Sequence, residues 1–141
     1  MKKILLPIDG SDVCPRAYEY AKKIAGKFDS EIIIFNAQDL TPPFGWLYDP
    51  VVSKDKGQDP KVIAETIVES GKEYFEGTGI NVTTKTSLGD PATTILEIGE
   101  EEGCDLIIMC THGMSRSKRF LLGSVTNKVV LYSDIPVLVI R

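Results

Sequence analysis

The chain has 141 residues, 43% of them hydrophobic and 26% charged, with a formal net charge of −4. That length suits one domain with its own core, and the acidic balance argues against a general nucleic-acid binder, which carries a basic footprint. Cys14, Cys104 and Cys110 stand in no metal-ligand spacing and suggest no disulfide framework. Two lysines and a short apolar run before Pro7 are too little for a signal-peptide core, and no window approaches the ~20 apolar residues of a membrane span. The expectation is a cytoplasmic protein with no membrane and no nucleic-acid partner.

Apolar runs alternate with helical patterns along the chain. Ile4–Pro7 reads as a short buried strand. A helix is expected from about Ser11, a plausible N-cap, to Phe28, with Ala17, Tyr20, Ala21, Ile24 and Phe28 on one face. Ile32–Ala37, rich in β-branched residues, is a second strand. The next segment, Gln38 to Gln58, has no convincing periodicity and carries Phe44, Trp46 and Tyr48. A loop of that length suits a lid or a partner contact, or a loop whose aromatics patch local apolar surface. Asp59-Pro60 opens a second helix, a cap followed by proline at the first helical position. Its inward residues are expected to be Ile63, Ile67, Ser70 or Gly71, and Tyr74, and Gly77 is expected to end it.

Ile80–Thr86 alternates and should be a half-exposed strand. Asp90-Pro91 repeats the helix opening, and that helix runs to near Gly103. Asp105–Cys110 is a fourth strand. A fourth helix from about Gly123 to Tyr132 should turn Val125, Val129 and Tyr132 inward, and Ile135–Ile140 is the last strand. Strand and helix alternate throughout, and the strands show continuous apolar runs. The fold class is therefore α/β: a single domain over residues 1–141, with an open five-stranded parallel sheet covered by helices on both faces, Rossmann-like in architecture. In such sheets ligands bind outside the carboxyl ends of the strands, where the strand order reverses. The loops at that end are Pro7–Ser11, Ala37–Gln58, Ser87–Asp90 and Thr111–Leu122.

The stretch THGMSRSKRFLLGSVT, Thr111 to Thr126, carries the chemistry. Neither of the two commonest phosphate signatures occurs: no G-x-x-x-x-G-K-[ST] and no G-x-G-x-x-G after a strand. Here Gly113 follows the fourth strand, where a missing side chain lets backbone approach a ligand. Gly123-Ser124 opens a helix whose N–H groups and dipole favour an anion. The hydroxyls of Ser124 and Thr126 add donors. Arg116, Lys118 and Arg119 place positive charge between, with Arg116 nearest Gly113. The same residues also read as a turn, a cap and a solvated surface.

This segment resembles the nucleotide-binding signature of the universal stress protein family, G-x2-G-x9-G-[ST]. It reads Cys110, Thr111-His112, Gly113, nine residues from Met114 to Leu122, then Gly123-Ser124, with Val125-Thr126 following. The resemblance spans the chain. KKILLPIDGSD is similar to the family's first strand and acidic turn, Leu88-Gly89-Asp90-Pro91 to its third strand-to-helix turn, and Ser133–Ile140 to its last strand. The departure is Cys110, which stands where the signature has its first glycine.

The resemblance implies an adenine nucleotide hydrolase-like fold and binding of ATP, or ADP or AMP, with Mg2+ or Mn2+. It implies that Asp9 lies near the ribose and the metal, that Pro7 and Ile8 shape the nucleoside pocket, and that Ala37 meets adenine with its backbone. Met109 would contact adenosine, with Cys110 beside it at the strand exit. Gly113, Gly123, Ser124, Val125 and Thr126 would cradle the phosphates, with Arg116 as the best placed of the basic residues.

The function implied is a regulatory stress-response module without a catalytic residue. A nucleotide-free stress interaction protein stands as one alternative. A slow ATPase or nucleotidyl transferase, with only Asp9 or His112 available as base, stands as another. His112 reads otherwise as a loop hydrogen-bonding residue, and Cys14 and Cys110 as small side chains rather than redox groups. A homodimer is expected through the C-terminal strand, whose apolar edge invites pairing.

Overall fold

The computed structural model describes residues 1–11, 15–40, 59–111 and 122–141. Five strands, β1 (Lys3–Pro7), β2 (Glu31–Gln38), β3 (Val82–Leu88), β4 (Leu106–Cys110) and β5 (Val137–Ile140), form one sheet in the order β3-β2-β1-β4-β5. Every neighbouring pair is parallel. Four helices alternate with them: α1 (Pro15–Phe28), α2 (Pro60–Glu73), α3 (Pro91–Glu101) and α4 (Ser124–Tyr132). The single α/β domain expected from the sequence is the one observed.

Two core layers lie on opposite faces of the sheet. Ile4, Leu6, Ile8, Ile32, Ile34 and Ile108 pack beneath α1 and α2. Leu5, Ile33, Phe35, Ile107 and Met109 pack beneath α3 and α4. Alternate residues of the same strands feed the two layers, so the central strands are apolar on both sides and show no alternation. Both Asp-Pro openings are realised. Asp59 accepts from the Lys61 N–H at 2.9 Å and Asp90 from the Thr93 N–H at 2.9 Å, each followed by proline in the first turn.

The helix faces differ from the sequence expectation. In α1 the buried stripe is Ala17, Tyr18, Ala21 and Ala25, while Tyr20 and Phe28 are 39% and 54% exposed. In α2 it is Ala64, Val68 and Gly71, and in α4 Thr126 and Val129, leaving Tyr74 and Tyr132 exposed. The physical reason is close approach. Ala17, Ala21 and Ala25 in α1 and Ala64 and Gly71 in α2 let those two helix backbones ride low on the sheet, and larger side chains move to the rim. Tyr18, stacked on Tyr74 at 4.9 Å and edge-on to Phe75, fills the seam between α1 and α2. The expected Ser11 cap of the first helix falls beside undescribed residues 12–14, and the Gln38–Gln58 loop lies mostly outside the described residues.

The two poles of the sheet are tied differently. At the amino pole the Lys2 and Lys3 N–H groups both donate to the Asp105 carboxylate, and the Ser30 hydroxyl donates to the Met1 carbonyl. At the carboxyl pole the Thr111 N–H donates to the Ile140 carbonyl at 2.9 Å.

Candidate functional site

Strand order reverses between β1 and β4, since the chain moves outward from β1 through β2 and β3 and then returns to β4. The β1–β4 ladder pairs Ile4 with Leu106 and Leu5 with Ile107, while β1 continues to Pro7 and β4 to Cys110. Pro7 has no N–H to offer a ladder. The two strands thus run on past their shared register, and the chain leaves the sheet on either side of a crevice at the switch point.

The wall from β1 is Pro7, Ile8 and Asp9. Pro7 and Asp9 are half-buried. Ile8 is 5% exposed, its side chain sunk in the α1/α2 core, so it would shape a pocket with main chain. Asp9 Oδ1 accepts from the Ser11 N–H at 2.9 Å, and Gly10 between them has φ +79°, a left-handed turn that favours glycine. Asp9 therefore has both a local role in the turn and a place at the crevice. Ala37, near the end of β2, is half-buried.

The opposite wall is the exit of β4. Met109 is 5% exposed and belongs to the α3/α4 core, whereas Cys110 is half-buried and packs against the α1-side cluster. Thr111 follows β4, and Leu122 and Gly123 precede α4. The start of α4 is tied to the β4 exit by the Gly123 N–H, which donates to the Thr111 carbonyl at 2.7 Å, and by the Thr126 hydroxyl, which donates to the Cys110 carbonyl at 2.8 Å. Thr126 is 5% exposed, so its hydroxyl braces the strand exit and only its main chain is left to face a ligand. Sequence reasoning gave Thr126 a ligand role and missed this brace. Gly113 and Arg116, with His112, Lys118 and Arg119, lie outside the described residues, as does Cys14.

The opening of α4 differs from its counterparts. Gly123 is its N-cap and no side chain supplies a cap hydrogen bond, whereas α2 and α3 each carry an aspartate there. Ser124 is exposed and Gly123 and Val125 are half-buried at this opening. The first N–H groups of a helix without a side-chain cap are oriented donors at the positive end of the dipole. Nearby charge is mixed. Lys128, one turn into α4, lies 4.0 Å from Asp90 at the α3 cap. Hydrogen bonds from the Thr93 N–H and hydroxyl hold the Asp90 carboxyl below its ordinary range. Among the described residues no group of three or more His, Cys, Asp or Glu could hold a metal ion. None of the described helices is long and apolar enough to cross a membrane.

Sheet order and the alternation of strand and helix define a doubly wound α/β domain with its switch point between β1 and β4. Comparison with known proteins gives the family. The family model of the universal stress proteins matches residues 1–141, so the chain belongs to the universal stress protein family. It is 34% identical to universal stress protein MJ0531 of Methanocaldococcus jannaschii, over 99% of this chain and 82% of that one. The solved structure of MJ0577 from the same organism superposes with a TM-score of 0.80 at 32% identity, covering 99% of this chain and 94% of the other. A universal stress protein in complex with cAMP superposes with a TM-score of 0.70 at 23% identity, covering 99% and 96%, and shares the fold.

Proposed function

We propose that this chain is an ATP-binding regulatory module, accepting ADP or AMP in the same place, and that it acts in the cytoplasm as a homodimer in stress response. The observation that carries the reading is the start of α4. A helix opening without a side-chain cap sits beside the β4 exit at the switch point, with its cap glycine held by Thr111. Such an opening suits phosphate oxygens. The crevice between Asp9 and Cys110 leads from it towards Ala37, in the order phosphate, ribose, base that the family resemblance implies. The cAMP complex of a protein with this fold is a property of that protein; for this chain the nucleotide rests on its own residues.

Roles follow by position. Ser124, Val125 and Thr126 hold phosphate with main-chain N–H groups and the Ser124 hydroxyl, Gly123, its own N–H held by Thr111, leaves room for close approach, and Gly113 and Arg116 aid them. Asp9 takes the ribose and shares Mg2+ or Mn2+ with the phosphates, Pro7 and Ile8 line the nucleoside, and Met109 and Cys110 form the far wall. When bound, the metal neutralises phosphate charge. Asp9 Oδ1 already accepts from the Ser11 N–H, which occupies it in the turn rather than as a base, and turnover is slow or absent.

The dimer uses the β5 edge. Ile107 and Thr111 donate to Pro136 and Ile140, so the main-chain groups of Val137 and Val139 face outward. The other edge, β3, carries Lys85 at its middle, a charge that discourages pairing.

The test begins with mass spectrometry of small molecules released by acid from the purified protein, followed by thermal unfolding with added ATP and magnesium. Adenine nucleotide near one per chain, or a rise in Tm that Asp9→Ala diminishes, is the expected result. Neither a released nucleotide nor a Tm shift at millimolar ATP would overturn the reading in favour of a nucleotide-free interaction protein, and steady phosphate release lost in Asp9→Ala would make the protein an ATPase.

A further inference from the structure

Asn36 is 3% exposed, a buried amide among isoleucines and a phenylalanine. Its Nδ2 donates to the Ile8 carbonyl at 2.7 Å, and its Oδ1 accepts from Gln38 Nε2 at 2.8 Å. A carbonyl only accepts, so the amide orientation is fixed by the bond itself.

The bond sits where the β1–β2 ladder would otherwise continue. The Ile8 N–H donates to the Phe35 carbonyl at 2.8 Å. In a parallel pair the Ile8 carbonyl should then accept from the residue two further on, Ala37. The alternation is consistent with this, because the Gln38 carbonyl accepts from the Gly89 N–H on the β3 side, so Ala37 faces β1. Instead the Asn36 side chain occupies the Ile8 carbonyl. Among the described residues no acceptor is paired with the Ala37 N–H. A side chain has replaced one rung, and a main-chain donor of the central sheet now faces the crevice where β1 turns away at Asp9.

We infer that Asn36, oriented by Gln38, is a positioning residue of the site: it withdraws the Ile8 carbonyl from the ladder and so keeps the Ala37 N–H available to a ring-nitrogen acceptor on the ligand's base. This rests on the nucleotide reading above for the identity of the ligand, but not for the exchange of partners.

Amide hydrogen exchange resolved to single residues separates the two. In the wild type the Ala37 amide should exchange faster than the neighbouring β2 amides. In Asn36→Leu, which keeps the volume but offers no donor, the Ala37 amide should pair with Ile8 and slow about tenfold, the factor one hydrogen bond supplies. Asn36→His, which restores a ring N–H donor, should return it towards the wild-type rate.

With ATP present the wild-type amide should become protected, and ATP affinity should fall about tenfold in Asn36→Leu while binding of tripolyphosphate at α4 is unchanged. Should Asn36→Leu not fold, Gln38→Ala gives the same direction with a smaller change.

An Ala37 amide already as protected as its neighbours, or unmoved by these substitutions, overturns the inference. So does ATP binding that stays the same in Asn36→Leu, or that weakens in step with tripolyphosphate, since a merely structural asparagine would do that. If the wild type binds no ATP, the functional reading fails, and the exchange rates still decide what Asn36 does.

Discussion

Gly26 and Gly71 are matched by position, each third from the end of its helix, and Gly→Ala at the two should change stability in opposite directions. At Gly26 an added Cβ meets nothing within 4 Å. The substitution there gains helix propensity and reduces the freedom of the unfolded chain, stabilising by about 0.5–1 kcal/mol. At Gly71 the same Cβ would lie 2.7 Å from Ile8 Cδ1, 3.0 Å from Tyr18 Oη and 3.4 Å from Ile34 Cγ2. Ile8 and Ile34 are buried in the sheet and Tyr18 is stacked on Tyr74, so the ends of packed side chains would have to shift. Overpacking of this kind costs about 1–3 kcal/mol, which exceeds the propensity gain and leaves Gly71→Ala destabilised by about 1 kcal/mol. The two variants should then stand about 2 kcal/mol apart in urea unfolding with equal m values, a Tm separation of about 4–8 °C for a domain of this size. Because Ile8 precedes Asp9, Gly71→Ala should also weaken ligand binding at the crevice, whereas Gly26→Ala should not. Equal stabilisation by both substitutions would refute the close approach of α2 to the sheet.

Asp90→Ala removes the cap of α3 and should cost about 1 kcal/mol at neutral pH. Hydrogen bonds from Thr93 lower the folded carboxyl from its ordinary value near 3.8, so the unfolded state binds the proton more readily. The ionised cap's contribution is full above that value and is lost as pH falls through the lower folded one, so the gap between wild type and variant should narrow in unfolding curves from about pH 6 to about pH 2; a constant gap would contradict this. Burial pushes the Cys104 thiol up to about 11, so at about pH 8 only about one in a thousand is thiolate. Alkylation followed by peptide mass spectrometry should label it only after denaturation, and rapid labelling of the native protein would refute that. Val139→Pro removes an outward N–H of β5 without touching the ladder to β4, so it should leave the fold intact and give a monomer by light scattering where the wild type is a dimer. Unchanged mass would send the dimer elsewhere.

Much of the fold is legible in the sequence because its signals are local. Asp59-Pro60 and Asp90-Pro91 each specify a cap and a first turn, and the doubly apolar runs at Ile32–Phe35 and Leu106–Met109 require cover on both faces. Helix faces were less legible. Tyr20, Phe28, Tyr74 and Tyr132 fit a helical period by hydrophobicity, yet the inner stripes of α1 and α2 are mostly alanine with Gly71, and which stripe faces in depends on how near the helix can come. The candidate site divides in the same way. The position of Gly123-Ser124 at a helix start is written in the residues, and so is the turn at Asp9-Gly10. The partners of Thr126 and Asn36 are not, because each hydrogen-bonds main chain distant in sequence, Cys110 and Ile8. The lone asparagine inside IIIFNAQ was the available signal: a polar residue buried in an apolar strand must satisfy its amide somewhere.

The ties at the two poles decide how the molecule can be handled. Met1 emerges at the amino pole beside Asp105 and Ser30, and Arg141 follows Ile140 at the carboxyl pole, next to Thr111. A surface tether or fused reporter at Met1 thus leaves both the crevice and the β5 edge facing bulk solvent. The same cargo at Arg141 prolongs the edge strand itself and stands beside the β4 exit. Immobilised by its two ends in turn, one protein would present two different faces to the same analyte, and the ratio of the two responses would map which pole the analyte approaches.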